Sequence, residues 1–355
     1  MRCSPEISRC GARRNNVPAA LLPETFRLRS SRDVPAALLP ETFRLRSSRG
    51  RSRCEALLYR VIYGCIDIGS NTTRVLVAEA GPRPLRELAA QRSFTQIGRS
   101  LDADGRIPGA KIAETAAVAG AQARLARGLG AGAVATAAVR DAVNRDELVA
   151  AVEDAAEVKL TVLDSSEEAR LSFVGATRAQ RDAHGAQDTI AVIDVGGGST
   201  EIAVGTPDGK VEWSRSVRVG SGVLADAHLH SDPPSVAELD AARDHADECF
   251  ASLAPPAAAT ALAVGGTATS LHRVVGAQLD ESTLAEGVQV LSRSPIEETA
   301  RRFELAPERV RLLPAGIIVL GAACACLGLT LRVAGGGLRE GVILELADAA
   351  ETAGI

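Results

Sequence analysis

The chain has 355 residues, of which 46% are hydrophobic, 24% are charged and only 3% are aromatic. This composition excludes a disordered chain, a collagen repeat and a disulfide scaffold, and so few aromatic residues argue against a surface that stacks nucleic-acid bases. The net charge of −4 is uneven, because residues 1–60 carry +8 and the remaining 295 carry −12. We expect no nucleic acid to be held by charge on such an acidic body, so any phosphate must be bound locally.

The segment 1–60 contains an identical duplication. Val17–Arg32 recurs letter for letter as Val34–Arg49. Two copies of so short a unit cannot stack as a repeat protein, which needs about three. We therefore predict that residues 1–60 are an extension, disordered or non-native, that arose by a recent tandem duplication. A transit peptide rich in Arg and Ser is the alternative.

From residue 61 onward, apolar alternation and helix breakers predict strands that alternate with helices, as in an α/β sheet covered on both faces. The predicted elements of the first half are strands Val61–Gly69, Thr73–Ala80, Glu87–Gln96, Ala131–Ala138 and Val158–Leu163 and helices Gly109–Leu129, Asn144–Ala156 and Ser165–Gln180. Those of the second half are strands Thr189–Val195, Thr200–Gly205, Lys210–Val219, Ala259–Val264 and Thr330–Ala334 and helix Leu338–Ala349. The uncharged segment Leu312–Leu331 is long enough to span a membrane, but its proline and small residues favour a buried helix.

The two halves open with matching sequences. IDIGSNTTRVLVA begins at Ile66 and IDVGGGSTEIAVG begins at Ile193, so that Asp67 aligns with Asp194. We therefore predict two related domains, residues 61–185 and 186–355, that face each other across a cleft. Both glycine-containing turns should look into that cleft.

Each matching turn follows an apolar strand, at the carboxyl end where open α/β sheets bind ligands. Glycines let backbone N–H groups approach an anion, and hydroxyl and amide side chains add donors. The predicted phosphate-binding residues of these turns are Gly69, Ser70, Asn71, Thr72, Gly196, Gly197, Gly198 and Ser199. One such turn alone is also typical of an ordinary hairpin, but its recurrence favours phosphate. Gly266 and Thr267, at a predicted helix N-terminus, form a third candidate, and Gly335–Gly341 forms a fourth glycine turn.

Carboxylates accompany the two turns. Asp67 and Asp194 end their strands, and Glu201 lies just past the second turn. Since Mg²⁺ is usually held by one or two carboxylates and by phosphate oxygens, these three are the predicted ligands of Mg²⁺ or Mn²⁺, with Asp194 and Glu201 the best pair. An exposed strand charge is the alternative for Glu201.

Two further charged residues have competing interpretations. Glu168 ends the stretch Ser165-Ser166-Glu167-Glu168, whose spacing is typical of a helix capping box. Arg140 lies just past the predicted strand Ala131–Ala138, where its guanidinium would bind phosphate or form a surface ion pair with Asp141.

Several blocks in the chain resemble the exopolyphosphatase/guanosine pentaphosphatase (Ppx/GppA) family of the actin-like ATPase superfamily. The blocks are IDIGSNTTR (66–74), ATAAVRDAVN (135–144), SSEEARLSFVGA (165–176), VIDVGGGSTEI (192–202), AVGGTATSL (263–271), LPAG (313–316) and LREG (338–341). The resemblance implies two ribonuclease-H-like domains facing across an interdomain cleft. It also implies that Glu168 is the general base and that Arg140 contacts phosphate. The matching blocks do not include the additional helical domain of longer family members, so we expect less surface for binding a long polyphosphate.

The resemblance implies a hydrolase that releases terminal orthophosphate from inorganic polyphosphate or guanosine pentaphosphate. A phosphate or alarmone sensor that does not cleave, and an ATP-dependent kinase or ATPase of the same fold, are the alternatives. The seven cysteines form no CxxC pair and indicate reduced thiols in a cytoplasmic protein. We expect no membrane partner, and a homodimer is plausible for the family.

Overall fold

The computed structural model describes residues 61–80, 85–126, 130–178 and 188–353. The predicted extension at residues 1–60, with its duplicated unit, lies outside the described residues. The predicted boundary between residues 185 and 186 also lies outside them, so the division into two domains at that point stays a prediction.

The first half is built on a five-stranded sheet. Its strands are β1 (Val61–Ile68), β2 (Thr73–Ala80), β3 (Arg86–Ser93), β4 (Gly130–Ala135) and β5 (Leu160–Val162). They lie in the order β3-β2-β1-β4-β5, with β1, β2 and β3 antiparallel and β1, β4 and β5 parallel. β1 and β2 are largely buried, whereas β3 is an exposed edge strand, which explains its polar composition.

Helices cover this sheet. They are α1 (Ile97–Ser100), α2 (Gly109–Ala123), α3 (Ala137–Arg140), α4 (Arg145–Ala156) and α5 (Ser165–Arg178), with a 3-10 turn at Arg124–Ala126. The strand predicted at Ala131–Ala138 ends earlier, at Ala135. The amide of Thr136 still donates to the Ile68 carbonyl, and the alanines after it begin α3 because alanine favours helix.

The second half repeats the plan. Its strands are β6 (Ile190–Val195), β7 (Thr200–Gly205), β8 (Val211–Val217), β9 (Thr260–Val264), β10 (Gln278–Leu279) and β11 (Leu331–Val333). The sheet order is β10-β11-β9-β6-β7-β8, with an antiparallel β6-β7-β8 meander and parallel β6, β9 and β11. When the short β10 is left aside, the strands of the second sheet have the same order and the same relative directions as those of the first sheet. The predicted duplication and the predicted α/β class are therefore confirmed.

The helices of the second half are α6 (Ser221–His228), α7 (Val236–Phe250), α8 (Gly265–Val275), α9 (Glu281–Leu291), α10 (Ile296–Phe303), α11 (Pro307–Leu327) and α12 (Leu338–Ala353). Among the described helices, α11 is long and apolar enough to cross a membrane, but 67% of its apolar window is buried in the protein. It packs against α6, α7 and α9 as a core helix. It ends at Leu327 because Gly328 adopts a left-handed conformation with φ of 63°.

The last helix returns to the first half. α12 packs along α5 and against β1, and its Leu338, Val342 and Ile343 are buried in the core of the first sheet. The backbones of α5 and α12 approach so closely that a Cβ on Gly341 would lie 2.0 Å from the Leu171 carbonyl oxygen. The glycine at position 341 therefore serves helix packing.

Candidate active site

Both glycine turns open into one cavity that is continuous with solvent. Most of the predicted site residues line it: Asp67, Gly69, Ser70, Asn71, Thr72, Glu168, Asp194, Gly196, Gly197, Gly198, Ser199, Glu201 and Gly266. The prediction that the two turns face a common cleft is therefore confirmed. Arg140 and Thr267 are not in this lining.

The two turns share one backbone geometry. The amide of Gly69 donates to the Thr72 carbonyl at 2.9 Å, and the amide of Gly196 donates to the Ser199 carbonyl at 3.0 Å. These two N–H groups close their own turns. Among the described residues, the next two N–H groups of each turn, at 70–71 and 197–198, have no carbonyl partner. They are the backbone donors that remain for an anion.

Each turn also contacts the other. A Cβ on Gly197 would lie 2.3 Å from Nδ2 of Asn71, and a Cβ on Gly198 would lie 2.5 Å from Oγ of Ser70. Glycine at both positions therefore permits the close approach. The buried Nδ2 of Asn71 has no hydrogen-bond partner, so this donor is also left for a ligand in the cavity.

Glu168 lies in the first turn of α5 but does not cap that helix. The Asp164 side chain accepts from the Glu167 amide at 2.8 Å, so Asp164 performs the capping that the sequence pattern suggested for the Ser-Ser-Glu-Glu stretch. The carboxylate of Glu168 instead accepts from Nη1 of Arg140 at 2.9 Å. Burial, together with the nearby Glu201 charge, raises the pKa of Glu168, and Arg140 opposes that rise.

The contacts of Arg140 position that carboxylate. Its Nη1 donates to Glu168 and also to the Leu163 carbonyl at 2.9 Å. The neighbouring Asp141 pairs with Arg218 from the second half of the chain. Arg140 thus contacts Glu168, with its Nε 4.0 Å from Oδ1 of Asp141, and the direct contact with phosphate that the resemblance implied stays a prediction.

Asp194 and Glu201 lie directly opposite each other on β6 and β7. Oγ of Ser172 donates to Asp194 at 2.9 Å, and Oγ of Ser216 donates to Glu201 at 2.8 Å. Burial raises the pKa of both carboxyls, although these hydroxyl bonds oppose the rise. Like charges directly opposite each other destabilise a sheet unless a cation compensates them, so this pair fits a divalent cation.

The equivalent pair in the first half is different. Asp67 and Arg74 lie directly opposite on β1 and β2, and Oδ2 of Asp67 accepts from Nη2 and Nε of Arg74 at 2.5 and 3.1 Å. The alignment of the two halves places Arg74 where the second half has Glu201. Asp67 thus has an ion-pair partner, whereas among the described residues no cationic side chain forms an ion pair with Asp194 or Glu201.

The described residues contain no group of three His, Cys, Asp or Glu side chains arranged to hold a metal. An ion at Asp194 and Glu201 would therefore need phosphate oxygens or water to complete its coordination. That requirement fits Mg²⁺, which keeps waters and is usually bound by one or two carboxylates and a phosphate.

Sequence reasoning missed the cation Arg309, on α11, which is 6% exposed and lines the cavity beside Gly266. Among the described residues no carboxylate pairs with it, and its buried Nε has no hydrogen-bond partner. Burial, with the charges of Arg92 and Arg74, lowers the pKa of Arg309 to about 9. No local pattern could have found it, because only the docking of α11 brings it to the turns.

Other lining residues were also not predicted. They are Arg74, Thr136, Ala137, Val195, Ser221 and Leu338. Of these, Arg74 carried a signal, since it aligns with Glu201 across the duplication. Thr267, expected to bind phosphate, is 1% exposed, and its hydroxyl donates to the Val195 carbonyl at 3.2 Å beneath the second turn.

The chain is similar to known proteins over about 80% of its length. It is 28% identical to exopolyphosphatase 1 of Mycobacterium leprae over 307 residues, 80% of this chain and 89% of that protein. It is 24% identical over 300 residues to the guanosine-5'-triphosphate,3'-diphosphate pyrophosphatase of Photobacterium profundum, 80% of this chain and 59% of that protein. The crystal structure of the Aquifex aeolicus Ppx/GppA family member, 24% identical, superimposes with a TM-score of 0.68, covering 83% of this chain and 99% of that one.

The family model described as the Ppx/GppA phosphatase family matches residues 76–350. Together with two duplicated sheets that close on one cavity, this match places the chain in the Ppx/GppA phosphatase family.

Proposed function

We propose that this protein is a phosphoanhydride hydrolase that releases terminal orthophosphate from inorganic polyphosphate, from guanosine pentaphosphate, or from both. The observation that carries the proposal is the convergence of Glu168 with both phosphate turns in one cavity. A carboxylate beside unpaired backbone donors is the arrangement needed to activate water against a bound phosphoryl group.

In the proposed reaction the terminal phosphoryl group lies between the turns. The free amides at 70–71 and 197–198 bind its oxygens, and the Arg309 guanidinium offsets part of their charge. In its carboxylate form, Glu168 accepts a proton from a water that attacks the terminal phosphorus in line with the scissile bond. The bond from that phosphorus to the bridging oxygen breaks, the shortened substrate is the leaving group, and the terminal group is released as orthophosphate. Arg140 holds the Glu168 carboxylate in place and so acts as a positioning residue.

Asp194 and Glu201 would hold a divalent cation, Mg²⁺ or Mn²⁺. When bound, such an ion neutralises charge that develops on phosphoryl oxygens. Ser172 and Ser216 fix the orientation of the two carboxylates through their hydroxyl bonds. Asp67, also predicted as a ligand, already has its charge balanced by Arg74, so we assign it a supporting role.

The test is phosphate release from short polyphosphate, long polyphosphate, guanosine pentaphosphate and ATP, each with and without Mg²⁺. Glu168→Gln should lower turnover by about 10²–10⁴-fold and leave substrate binding intact, the usual effect of removing a positioned base. Glu167→Gln is the matched control and should keep wild-type turnover, because the Glu167 carboxylate is next to Glu168 in sequence but pairs with Arg170.

Wild-type turnover in Glu168→Gln would remove Glu168 from the mechanism. Tight binding without phosphate release by the wild type would indicate a sensor, and turnover of ATP equal to that of polyphosphate would indicate a kinase or ATPase. The cytoplasmic location and the homodimer stay predictions.

A further inference from the structure

Three arginines meet at one rim of the cavity. Arg74 and Arg92 lie directly opposite each other on β2 and β3, so their side chains share one face of the sheet. Arg309 approaches the same place from α11, with its guanidinium 6.0 Å from the centre of the Phe94 ring, near the end of β3. Like charges directly opposite each other destabilise a sheet, so this arrangement calls for an anion.

The protein supplies too few anions at this rim. Asp67 neutralises Arg74, but among the described residues no carboxylate lies within ion-pair distance of Arg92 or Arg309. Loss of hydration, with the charges of Arg74, Arg339 and Arg273, lowers the pKa of Arg92 to about 10, although the residue as a whole is exposed. Two positive charges therefore remain uncompensated.

Arg92 lies outside the cavity itself. Arg74 and Arg309 line the cavity, whereas Arg92 does not, and Arg92 and Arg273 are both exposed. The cationic surface therefore runs from the buried Arg309, which lines the cavity, to the exposed Arg92. Only an anion that extends beyond the cavity would contact both parts.

Building on the proposed hydrolase function, we propose that Arg92 binds phosphate groups of the substrate that lie beyond the one being hydrolysed. The ligand is a phosphate chain or cluster, and two sources share that chemistry. One is the continuing chain of long polyphosphate, and the other is the 3'-diphosphate of guanosine pentaphosphate. Arg92 is thus a specificity-determining residue for substrates larger than the cavity.

The test compares Arg92→Gln with the wild type on tripolyphosphate, long polyphosphate and guanosine pentaphosphate. The ratio of KM for the large substrate to KM for tripolyphosphate should rise about fivefold, or about 1 kcal/mol at 1.4 kcal/mol per tenfold. KM for the large substrate should also depend less steeply on salt, because one phosphate contact is lost. Arg92→Lys should restore part of the effect.

Arg86→Gln is the matched control on the same strand, because Arg86 pairs with Glu79 at 2.7 Å; it should leave the KM ratio unchanged. A rise confined to long polyphosphate identifies the chain as the ligand, and a rise confined to guanosine pentaphosphate identifies the 3'-diphosphate. An unchanged ratio for both large substrates overturns the proposal. Measuring direct binding of the same three ligands in the Glu168→Gln background keeps this result separate from any failure of the hydrolase assignment.

Discussion

The contact between α5 and α12 predicts the effect of adding one methyl group. A Cβ on Gly341 would lie 2.0 Å from the carbonyl oxygen and 2.7 Å from the carbonyl carbon of Leu171. Normal carbon–oxygen contacts are about 3.3 Å or longer, so the two helices must separate by more than about 1 Å. Overpacking of this kind destabilises a protein by about 1–3 kcal/mol, occasionally more, whereas alanine in place of glycine inside a helix stabilises it by about 1 kcal/mol.

We therefore expect Gly341→Ala to lower the free energy of unfolding by about 2 kcal/mol. Gly321→Ala is the control, because Gly321 lies inside α11 with no atom within 4 Å of an added Cβ, and alanine there should gain about 0.5–1 kcal/mol. Urea unfolding of both variants measures the difference through the midpoint and slope. Turnover should also fall in Gly341→Ala, since α5 carries Glu168 as well as Leu171. Equal stability of the two variants would refute close helix packing as the reason for glycine at position 341.

Two further predictions concern the charges of the cavity. Arg309→Met should raise KM by tenfold or more, because a charge-assisted contact with the substrate phosphate, worth about 1.5–3 kcal/mol, is lost. The same substitution should stabilise the folded protein by about 1–3 kcal/mol, because it removes a buried unpaired charge. KM and urea midpoints measured together check this, and a variant that is less stable with unchanged KM would contradict it. With a chelator present to remove metal ions, the free energy of unfolding should fall as pH rises above the pKa of an ordinary carboxyl. The reason is that the pKa values of Glu168, Asp194 and Glu201 are raised in the folded state, which therefore holds protons that the unfolded state has lost. Thermal midpoints between about pH 5 and 9 with EDTA test the sign; adding Mg²⁺ should flatten the curve, and a rise with pH would contradict the reasoning.

The fold was predictable because the sequence patterns that indicate it are local and occur in both halves of the chain. Buried strands appear as apolar runs, glycine turns mark their carboxyl ends, and the recurrence of the opening sequence of Ile66 at Ile193 indicates two halves of the same topology. Strand ends were less predictable, as at Ala135, where a strand passes directly into a short helix. Alanine and valine are compatible with both conformations, so only the pairing partners decide.

The site was predictable in its turns and acids but not in its pairings. The Ser-Ser-Glu-Glu stretch is compatible with a cap at Ser165 or at Asp164, and the docking of Arg140 against Glu168 is a tertiary contact that leaves no local trace. Arg309 is distant from Glu168 in sequence and reaches the cavity only through α11. The fourth glycine turn was misleading in the opposite way, because its Gly341 matches the sequence pattern of an anion-binding turn but serves helix packing.

The duplication explains why the cavity is symmetric in backbone but not in chemistry. Each half contributes the same turn, closed by the same amide-to-carbonyl bond, so two sets of backbone donors face one cavity. Across the strands beneath the turns, however, one half pairs Asp67 with Arg74 and the other pairs Asp194 with Glu201. The first pair is neutral and needs no ion, whereas the second holds two buried carboxyls, whose charge either a retained proton or a bound cation would balance. The difference at this one strand position, Arg74 against Glu201, therefore gives the two sides of the cavity different electrostatics, with an internally paired acid on one side and two facing acids on the other.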